Sequence, residues 1–245
     1  MKGVILAGGH ATRLRPVTKA TNKHLLPVGT RAMIEYPLRN MILCGIRKIL
    51  VVTGAGHLGD IVDYLGSGTE YGVDFTYKAQ DEPKGVAHAL SLAEDFAQGG
   101  KMMVMLGDNI MYDNVKREVE KFEKRERGAH VFLKRVGGDV SRYGVAEIRG
   151  NKVVRVVEKP KVPPSNYVVT GTYLYDSEVF DIIKTLKPSW RGEYEISDAN
   201  NAYAQRGLMT YTLLKGPWTD AGTFETLAKA NGFVQKFKFE FPNEK

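Results

Sequence analysis

The 245-residue chain carries a single cysteine, Cys44, which excludes an internal disulfide framework and a metal site built from several thiolates. Cys44 lies in the apolar stretch MILCGI, where a lone thiol is expected to be buried and free. No apolar run approaches the roughly 20 residues of a membrane span. The opening MKGVILAGG has too short an apolar run for a secretory leader, and the wrong pattern after it. A cytoplasmic protein without a membrane partner is expected. Repeats and low-complexity tracts are missing too, and the one Pro-rich patch, KPKVPPSN, is a short loop rather than a linker. Two glycine motifs are absent: GxxxxGK[ST] does not occur, and the third glycine of GxGxxG has no counterpart.

Excess basic charge is missing from most of the chain. The net charge is +7, yet residues 1–50 hold nine Lys or Arg and one acid, whereas the other 195 residues hold 26 basic and 27 acidic groups. A nucleic-acid binder spreads its basic residues over a long face. One basic corner suits a compact anionic ligand instead, or is simply a solvated surface.

What is present is a globular composition, with 43% hydrophobic and 26% charged residues. Buried-strand patterns (GVILAG, KILVVTG, VDFTYKAQ, KMMVMLGDN, HVFLKRV) alternate with helical ones at Arg31–Cys44, HLGDIVDYLG, VAHALSLAEDFA and Val115–Arg127. This alternation predicts a Rossmann-like, mainly parallel central sheet with helices on both faces. After residue 140, VAEIRGNKVVRVVEKP reads as a hairpin turning at Gly150–Asn151. VVTGTYLYD and LMTYTLLKG follow as strands, with helices at Glu178–Leu186, around Ile196–Gln205 and from Thr223. One domain with a hairpin-rich second lobe is expected, divided near residues 1–135, 136–222 and a C-terminal helix and tail over 223–245.

In open parallel sheets, ligands sit beyond the C-terminal strand ends. Three segments lie there. In LAGGHATRLRPVTKATNKHLLPV, Gly8 and Gly9 allow close backbone approach to an anion or simply make a tight turn, Arg13 offers a bidentate cation and Lys23 a point charge. Asp108 ends the strand MVMLGDN and Asp220 precedes a small-residue turn in WTDAGT. Either is placed to hold Mg²⁺, although a lone Asp at such a position is more often a turn or cap residue. Glu158 and Lys159 end a strand as an adjacent acid and base, suited to a sugar hydroxyl and a phosphate, although by themselves they read more readily as a solvated strand end.

Taken together, LAGGHATRLRPVT, KHLLPV, PKGVAHAL, LGDNI, RYGVAE, VVEKP, SNYVVTGTYLYD, RGEYEISD and WTDAGT resemble the sugar-1-phosphate nucleotidylyltransferases, in family order and over about residues 3–231. The branch they look most like is the short form of the glucose-1-phosphate thymidylyltransferases. The resemblance implies Mg²⁺-dependent attack of a sugar 1-phosphate on the α-phosphorus of dTTP or UTP, with pyrophosphate leaving. It implies catalytic roles for Arg13, Lys23, Asp108 and Asp220, the two aspartates as metal ligands. Nucleotide contacts would come from Leu6, Gly8, Gly9, Ala11, Thr12, Arg13, Gln80, Gly85 and Asp108. Sugar-phosphate contacts would come from Lys23, Tyr143, Gly144, Glu158, Lys159, Val169 and Arg191. A homodimer or homotetramer is implied as well. Arg191 could equally bridge to Glu193 or Glu195, and Trp218 could wall the sugar pocket or pack the sheet end. The signature departs at Ala11, where the family has a further glycine, and at His10, which could touch a phosphate or be an exposed loop residue. A methyl at Ala11 is harmless at negative φ and costly at positive φ. His24, His57, His88 and His130 show no metal-ligand spacing and read as surface or packing residues, although His88, on the helix that would begin beside the base, could also touch the nucleotide. A glycosyltransferase would want a DxD pair, which LGDN is not. A non-catalytic relative would be free to lose the acids and the basic loop, and all four of those residues are present.

Overall fold

The run Gly3–Ala7 has no polar side chain on either side, and such a strand is stable only with both faces covered. A computed structural model, which describes residues 1–9, 11–150 and 152–242, puts it at the centre of the sheet. His10 and Asn151 lie outside the described residues, as do 243–245 of the tail.

The chain runs β1 (Lys2–Ala7), three single 3-10 turns (Thr12–Leu14, Val17–Lys19, Lys23–Leu25), β2 (Pro27–Val28), β3 (Arg31–Ala32), α1 (Glu35–Leu43), β4 (Lys48–Gly54), α2 (Leu58–Leu65) and β5 (Asp74–Gln80). It continues with α3 (Val86–Ser91), α4 (Glu94–Ala97), β6 (Met102–Leu106), β7 (Asn109–Met111), α5 (Lys116–Glu123) and β8 (Ala129–Arg135). The second lobe holds β9 (Gly144–Arg149), β10 (Lys152–Glu158), β11 (Tyr167–Tyr175), α6 (Glu178–Thr185), α7 (Ile196–Gln205), β12 (Met209–Leu213), β13 (Trp218–Asp220) and α8 (Phe224–Lys236).

Among the described residues, nine strands form one sheet, with the path β10-β9-β11-β6-β1-β4-β5 and with β8 and β12 attached through β11. Pairing is parallel from β6 through β1 and β4 to β5. It is antiparallel where β11 meets β6, β8 and β9, and in the β9–β10 hairpin. Along β1, Val4 and Leu6 face one core and Ile5 and Ala7 the other. The first core is closed by α3, α4, α6 and α7 through residues such as Leu90, Ala97, Phe180 and Tyr203. The second is closed by α1, α2 and α5 through Leu38, Met41, Ile61, Val119 and Phe122. Each fully buried aliphatic side chain contributes roughly 1.5–3 kcal/mol, so the strand ends are fixed from both sides. Cys44 is buried and free, and burial pushes its thiol up to about 12.

Four expectations change, one of them only in length: the helix expected over Val115–Arg127 runs from Lys116 to Glu123. The helix expected over Arg31–Cys44 starts only at Glu35, because Arg31 and Ala32 pair with Pro27 and Val28. The Glu35 carboxylate closes that corner, accepting from the Ala32 N–H at 3.2 Å and from Arg31 at 3.0 Å. The helix expected over Val86–Ala97 is two short helices, and near the break the Ser91 hydroxyl donates back to the His88 carbonyl at 2.8 Å. The strand expected over KMMVMLGDN stops at Leu106; Asn109–Met111 turns away to pair with β13. Asp108 therefore sits in the step between two strands.

Candidate active site

Two cavities meet at that step. One, of about 290 Å³, is bounded by Leu6, Gly8, Gly9, Lys23, Gln80, Gly85 and Asp108. The other, of about 230 Å³, takes in Arg13, Asp108, Tyr143, Gly144, Glu158, Lys159, Val169, Arg191 and Asp220. Asp108 borders both. A larger cavity of about 360 Å³, between Arg31, Arg39, Tyr71 and Phe241, touches none of these residues.

The glycine loop leaves β1 with Gly9 at φ +95° and Ala11 at φ 48°, ψ 35°. Ala11 is thus left-handed where the family signature has glycine, a conformation that costs an L-residue about 1–2 kcal/mol. Its carbonyl accepts from Thr18 Oγ1 at 2.9 Å and from the Leu14 N–H at 3.0 Å, which holds the turn. Ala11 and Thr12 border neither cavity. Arg13 makes no hydrogen bond or ion pair among the described residues; its guanidinium lies beside Gly222, 3.2 Å from where a Cβ there would stand.

Lys23 follows Asn22, whose side chain caps the next turn by accepting from the His24 N–H at 2.8 Å. That fixes the lysine's direction, and its Nζ donates to Asp108 Oδ2 at 2.7 Å. The two side chains are 15% and 14% exposed. Burial alone would raise the Asp108 carboxyl, but the Lys23 charge and the hydrogen bonds from Lys23 and Asn109 hold it down at about 2. Lys23 borders the first cavity rather than the second, next to the shared aspartate. Burial, then the Lys23 charge, lowers His24 to about 3, so this ring is neutral and packs beneath the strand end.

Asp220 is brought opposite Asn109 by the β7–β13 pair. Its Oδ1 accepts from Tyr143 Oη at 2.8 Å and from Arg142 Nη2 at 3.4 Å. Burial and then the Asp108 charge raise its carboxyl, and Tyr143, Arg142 and Arg13 only partly offset this. The two aspartates repel one another across the step, a strain that a cation between them would relieve. No cluster of three or more His, Cys, Asp or Glu that could hold a metal occurs among the described residues. Two carboxylates beside open space fit Mg²⁺, which keeps waters and takes phosphate oxygens, better than they fit a thiolate- or imidazole-bound metal.

At the first cavity's far wall, Gln80 ends β5 with its amide oxygen 2.9 Å from where a Cβ on Gly8 would stand. Gly85 has φ +101°, and a Cβ there would meet the Tyr194 carbonyl at 2.6 Å. Backbone packing requires glycine at this position whatever the ligand. In the second cavity, Glu158 Oε2 accepts from Ser197 Oγ at 2.6 Å, and burial raises its carboxyl. Lys159 is exposed and left-handed at φ 43°, its N–H tied to the Tyr143 carbonyl at 3.0 Å. Strained non-glycine backbone of this kind clusters at functional sites. Arg191 is committed to carboxylates: Nη2 meets both Glu195 oxygens at 2.9 Å and Glu193 at 3.0 Å, with Glu158 4.0 Å away. Trp218 does both jobs, bordering the cavity and donating from Nε1 to Asn109 at 2.7 Å.

Sequence reasoning passed over Arg142 and Ser197. Arg142 stands next to Tyr143 in RYGVAE, and its guanidinium lies over the Tyr143 ring at 4.7 Å. Ser197 had no signal beyond following Ile196 in RGEYEISD. His88, expected to pack or lie at the surface with a nucleotide contact as the alternative, hydrogen-bonds the Gln80 amide through Nδ1 at 2.9 Å.

The comparison with known families agrees with this geometry: the family model described as nucleotidyl transferase matches residues 2–236. The chain belongs to the nucleotidyl transferase family. This nucleotidyl transferase is 41% identical over 238 residues to a glucose-1-phosphate thymidylyltransferase of an Actinoplanes species, covering 96% of this chain and 78% of that protein. Its fold superposes with a TM-score of 0.93 and 51% identity on a Bacillus anthracis protein crystallised with sucrose and described as a candidate glucose-1-phosphate thymidylyltransferase, over 98% and 97% of the two chains. A UDP-glucose pyrophosphorylase complexed with UDP-glucose is more distant, with a TM-score of 0.85, 26% identity and coverage of 96% and 98%. No helix among the described residues of this nucleotidyl transferase is long and apolar enough to cross a membrane.

Proposed function

We propose that this nucleotidyl transferase moves a thymidylyl group from dTTP to glucose 1-phosphate, giving dTDP-glucose and pyrophosphate. The observation that carries the reading is the junction at Asp108. There a glycine- and amide-lined slot sized for a base opens into a pocket of carboxylates, hydroxyls and cations sized for a sugar phosphate. The likeness to the thymidylyltransferases supports the choice of substrates.

A phosphate oxygen of glucose 1-phosphate attacks the α-phosphorus, the bond from that phosphorus to the bridging oxygen breaks, and pyrophosphate leaves with the oxygen. No covalent enzyme intermediate forms, so the residues act by positioning and charge neutralisation. Leu6 packs on the nucleoside, Gln80 and Gly85 meet the base, and Gly8, Gly9, Ala11 and Thr12 shape the triphosphate loop. Arg13 neutralises charge building on the leaving oxygens. Lys23 exchanges its Asp108 partner for the α-phosphate and the incoming sugar phosphate. Glu158, with Tyr143, Gly144 and Val169 around it, accepts from sugar hydroxyls, and Lys159 holds the sugar's phosphate. Arg191 acts through its glutamates more than directly. Asp108 and Asp220 would hold Mg²⁺, which when bound would supply a Lewis acid for the phosphoryl oxygens. Residues 1–135 serve the nucleotide and 136–222 the sugar phosphate. We place the enzyme in the cytoplasm, as a homodimer or homotetramer without nucleic-acid or membrane partners.

Uridylyl transfer is the second reading, supported by the likeness to UDP-glucose pyrophosphorylase. A 5-methyl group is worth only about 1 kcal/mol in a loose pocket. The test is pyrophosphate release by the purified chain with Mg²⁺, glucose 1-phosphate and each triphosphate in turn. The highest kcat/KM is expected with dTTP; preference for ATP or GTP over both pyrimidines overturns the assignment.

A further inference from the structure

A buried amide can read either of two opposite hydrogen-bonding edges. Rotating Gln80 by half a turn about its last torsion exchanges its carbonyl oxygen for its NH₂ group. Gln80 is 5% exposed, so a ligand edge that mismatches it finds no water to compensate. The structure places a hydrogen-bonding partner against this amide. Gln80 Nε2 lies 2.9 Å from His88 Nδ1. In this arrangement the NH₂ group donates and Nδ1 accepts. The ring itself is held in place. It stacks on Tyr194 with centroids 6.4 Å apart and planes at 29°, and the first turn of α3 is pinned by the Ala87 N–H to the Tyr194 carbonyl at 3.1 Å. With its nitrogen engaged, Gln80 turns its oxygen toward Gly8, on the wall of the base slot.

We infer that His88 is a positioning residue that locks the Gln80 amide with its oxygen toward the ligand, and so selects a pyrimidine carrying a ring N–H over one carrying a ring lone pair. Thymine and uracil present N3–H to that oxygen; cytosine presents a lone pair and is refused. The inference rests on the reading that places a pyrimidine beside Gln80.

The test compares kcat/KM for dTTP and dCTP, with glucose 1-phosphate saturating, in the wild type, His88→Phe and His88→Glu. Phenylalanine keeps a ring against Tyr194 but removes the acceptor; glutamate restores an acceptor that cannot donate. Taking the ratio between two triphosphates cancels any effect of the new charge on the phosphate tail. The dTTP:dCTP ratio is expected to fall at least about tenfold in His88→Phe and to stay within about threefold of wild type in His88→Glu, with the KM for glucose 1-phosphate unchanged in both. A wild-type ratio in His88→Phe overturns the inference, and so does a ratio in His88→Glu as low as in His88→Phe. Should His88→Phe fail to melt cooperatively, His88→Lys, which can only donate, is set against His88→Glu. It is expected to favour dCTP relative to wild type, and an unchanged ratio overturns the inference. A wild type that uses neither dTTP nor UTP defeats the functional reading itself, whereas an active wild type with unmoved variants defeats only the role of His88.

Discussion

Replacing Asp108 by asparagine keeps its shape and removes its charge. In the native protein that charge meets Lys23 Nζ at 2.7 Å, with both side chains more than four-fifths buried. Burial works against it, yet Lys23 and the hydrogen bonds bring the carboxyl from 3.8 to about 2. At roughly 1.4 kcal/mol per pH unit, that fall is worth about 2 kcal/mol to the folded state at neutral pH. The sign follows from the depression: the contribution is complete above 3.8 and is lost as pH falls through about 2. The Asp108→Asn variant forfeits it and leaves the Lys23 ammonium with a weaker partner. Asp220, raised by burial and then by the Asp108 charge, recovers a part. The net loss is about 1–2 kcal/mol, or a melting temperature lower by roughly 2–8 °C at pH 7 for a chain of this size. Turnover is expected to fall by at least about a hundredfold, because an aspartate that borders both cavities no longer brings its charge to the phosphates. Thermal melting and pyrophosphate release measure the two effects. An unchanged melting temperature refutes the electrostatic argument; near-normal turnover removes Asp108 from the reacting centre.

Lys159→Ala should raise the KM for glucose 1-phosphate about tenfold or more and leave that for dTTP alone; an unmoved KM for the sugar phosphate contradicts its role. Ala11→Gly relieves a left-handed alanine but adds freedom to the unfolded chain, so a net gain of about 0.5–1 kcal/mol is expected in denaturant titration. A lower midpoint would show that the alanine is unstrained. Acid should destabilise the protein below neutrality through His24. The unfolded ring takes a proton near 6.5, while the buried one resists until about 3. Stability thus falls by about 1.4 kcal/mol per pH unit within that window. His24→Phe should flatten the slope, and a slope identical to wild type would assign the effect elsewhere.

Much of the fold was legible because parallel strands buried on both faces leave continuous apolar runs. Lys48–Gly54 matches the run KILVVTG from end to end, and Ile196–Gln205 begins and ends where its pattern does. The errors fell where a few residues answered to distant partners. Arg31 and Ala32 look helical beside Glu35, but Pro27 and Val28 claim them. Gly107–Asn109 read as the end of the β6 strand, but β13, more than 100 residues later, draws Asn109–Met111 into a separate pair. Arg191 was ambiguous between ligand and bridge for the same reason: its alternatives lie two and four residues away, and only side-chain packing directs it to Glu195 and Glu193.

The sequence by itself determined the alternation of strand and helix, the concentration of cations in the first 50 residues, and the residues able to carry phosphate, sugar and metal chemistry. Those follow from local pattern and side-chain type. The tertiary structure alone decided that Asp108 stands between two cavities with Lys23 on one side and Asp220 on the other. It also decided that Ala11 is left-handed and that His88 meets the Gln80 amide. Each of these depends on where chain segments far apart in sequence come to rest, which the buried faces of the sheet fix and local pattern does not encode.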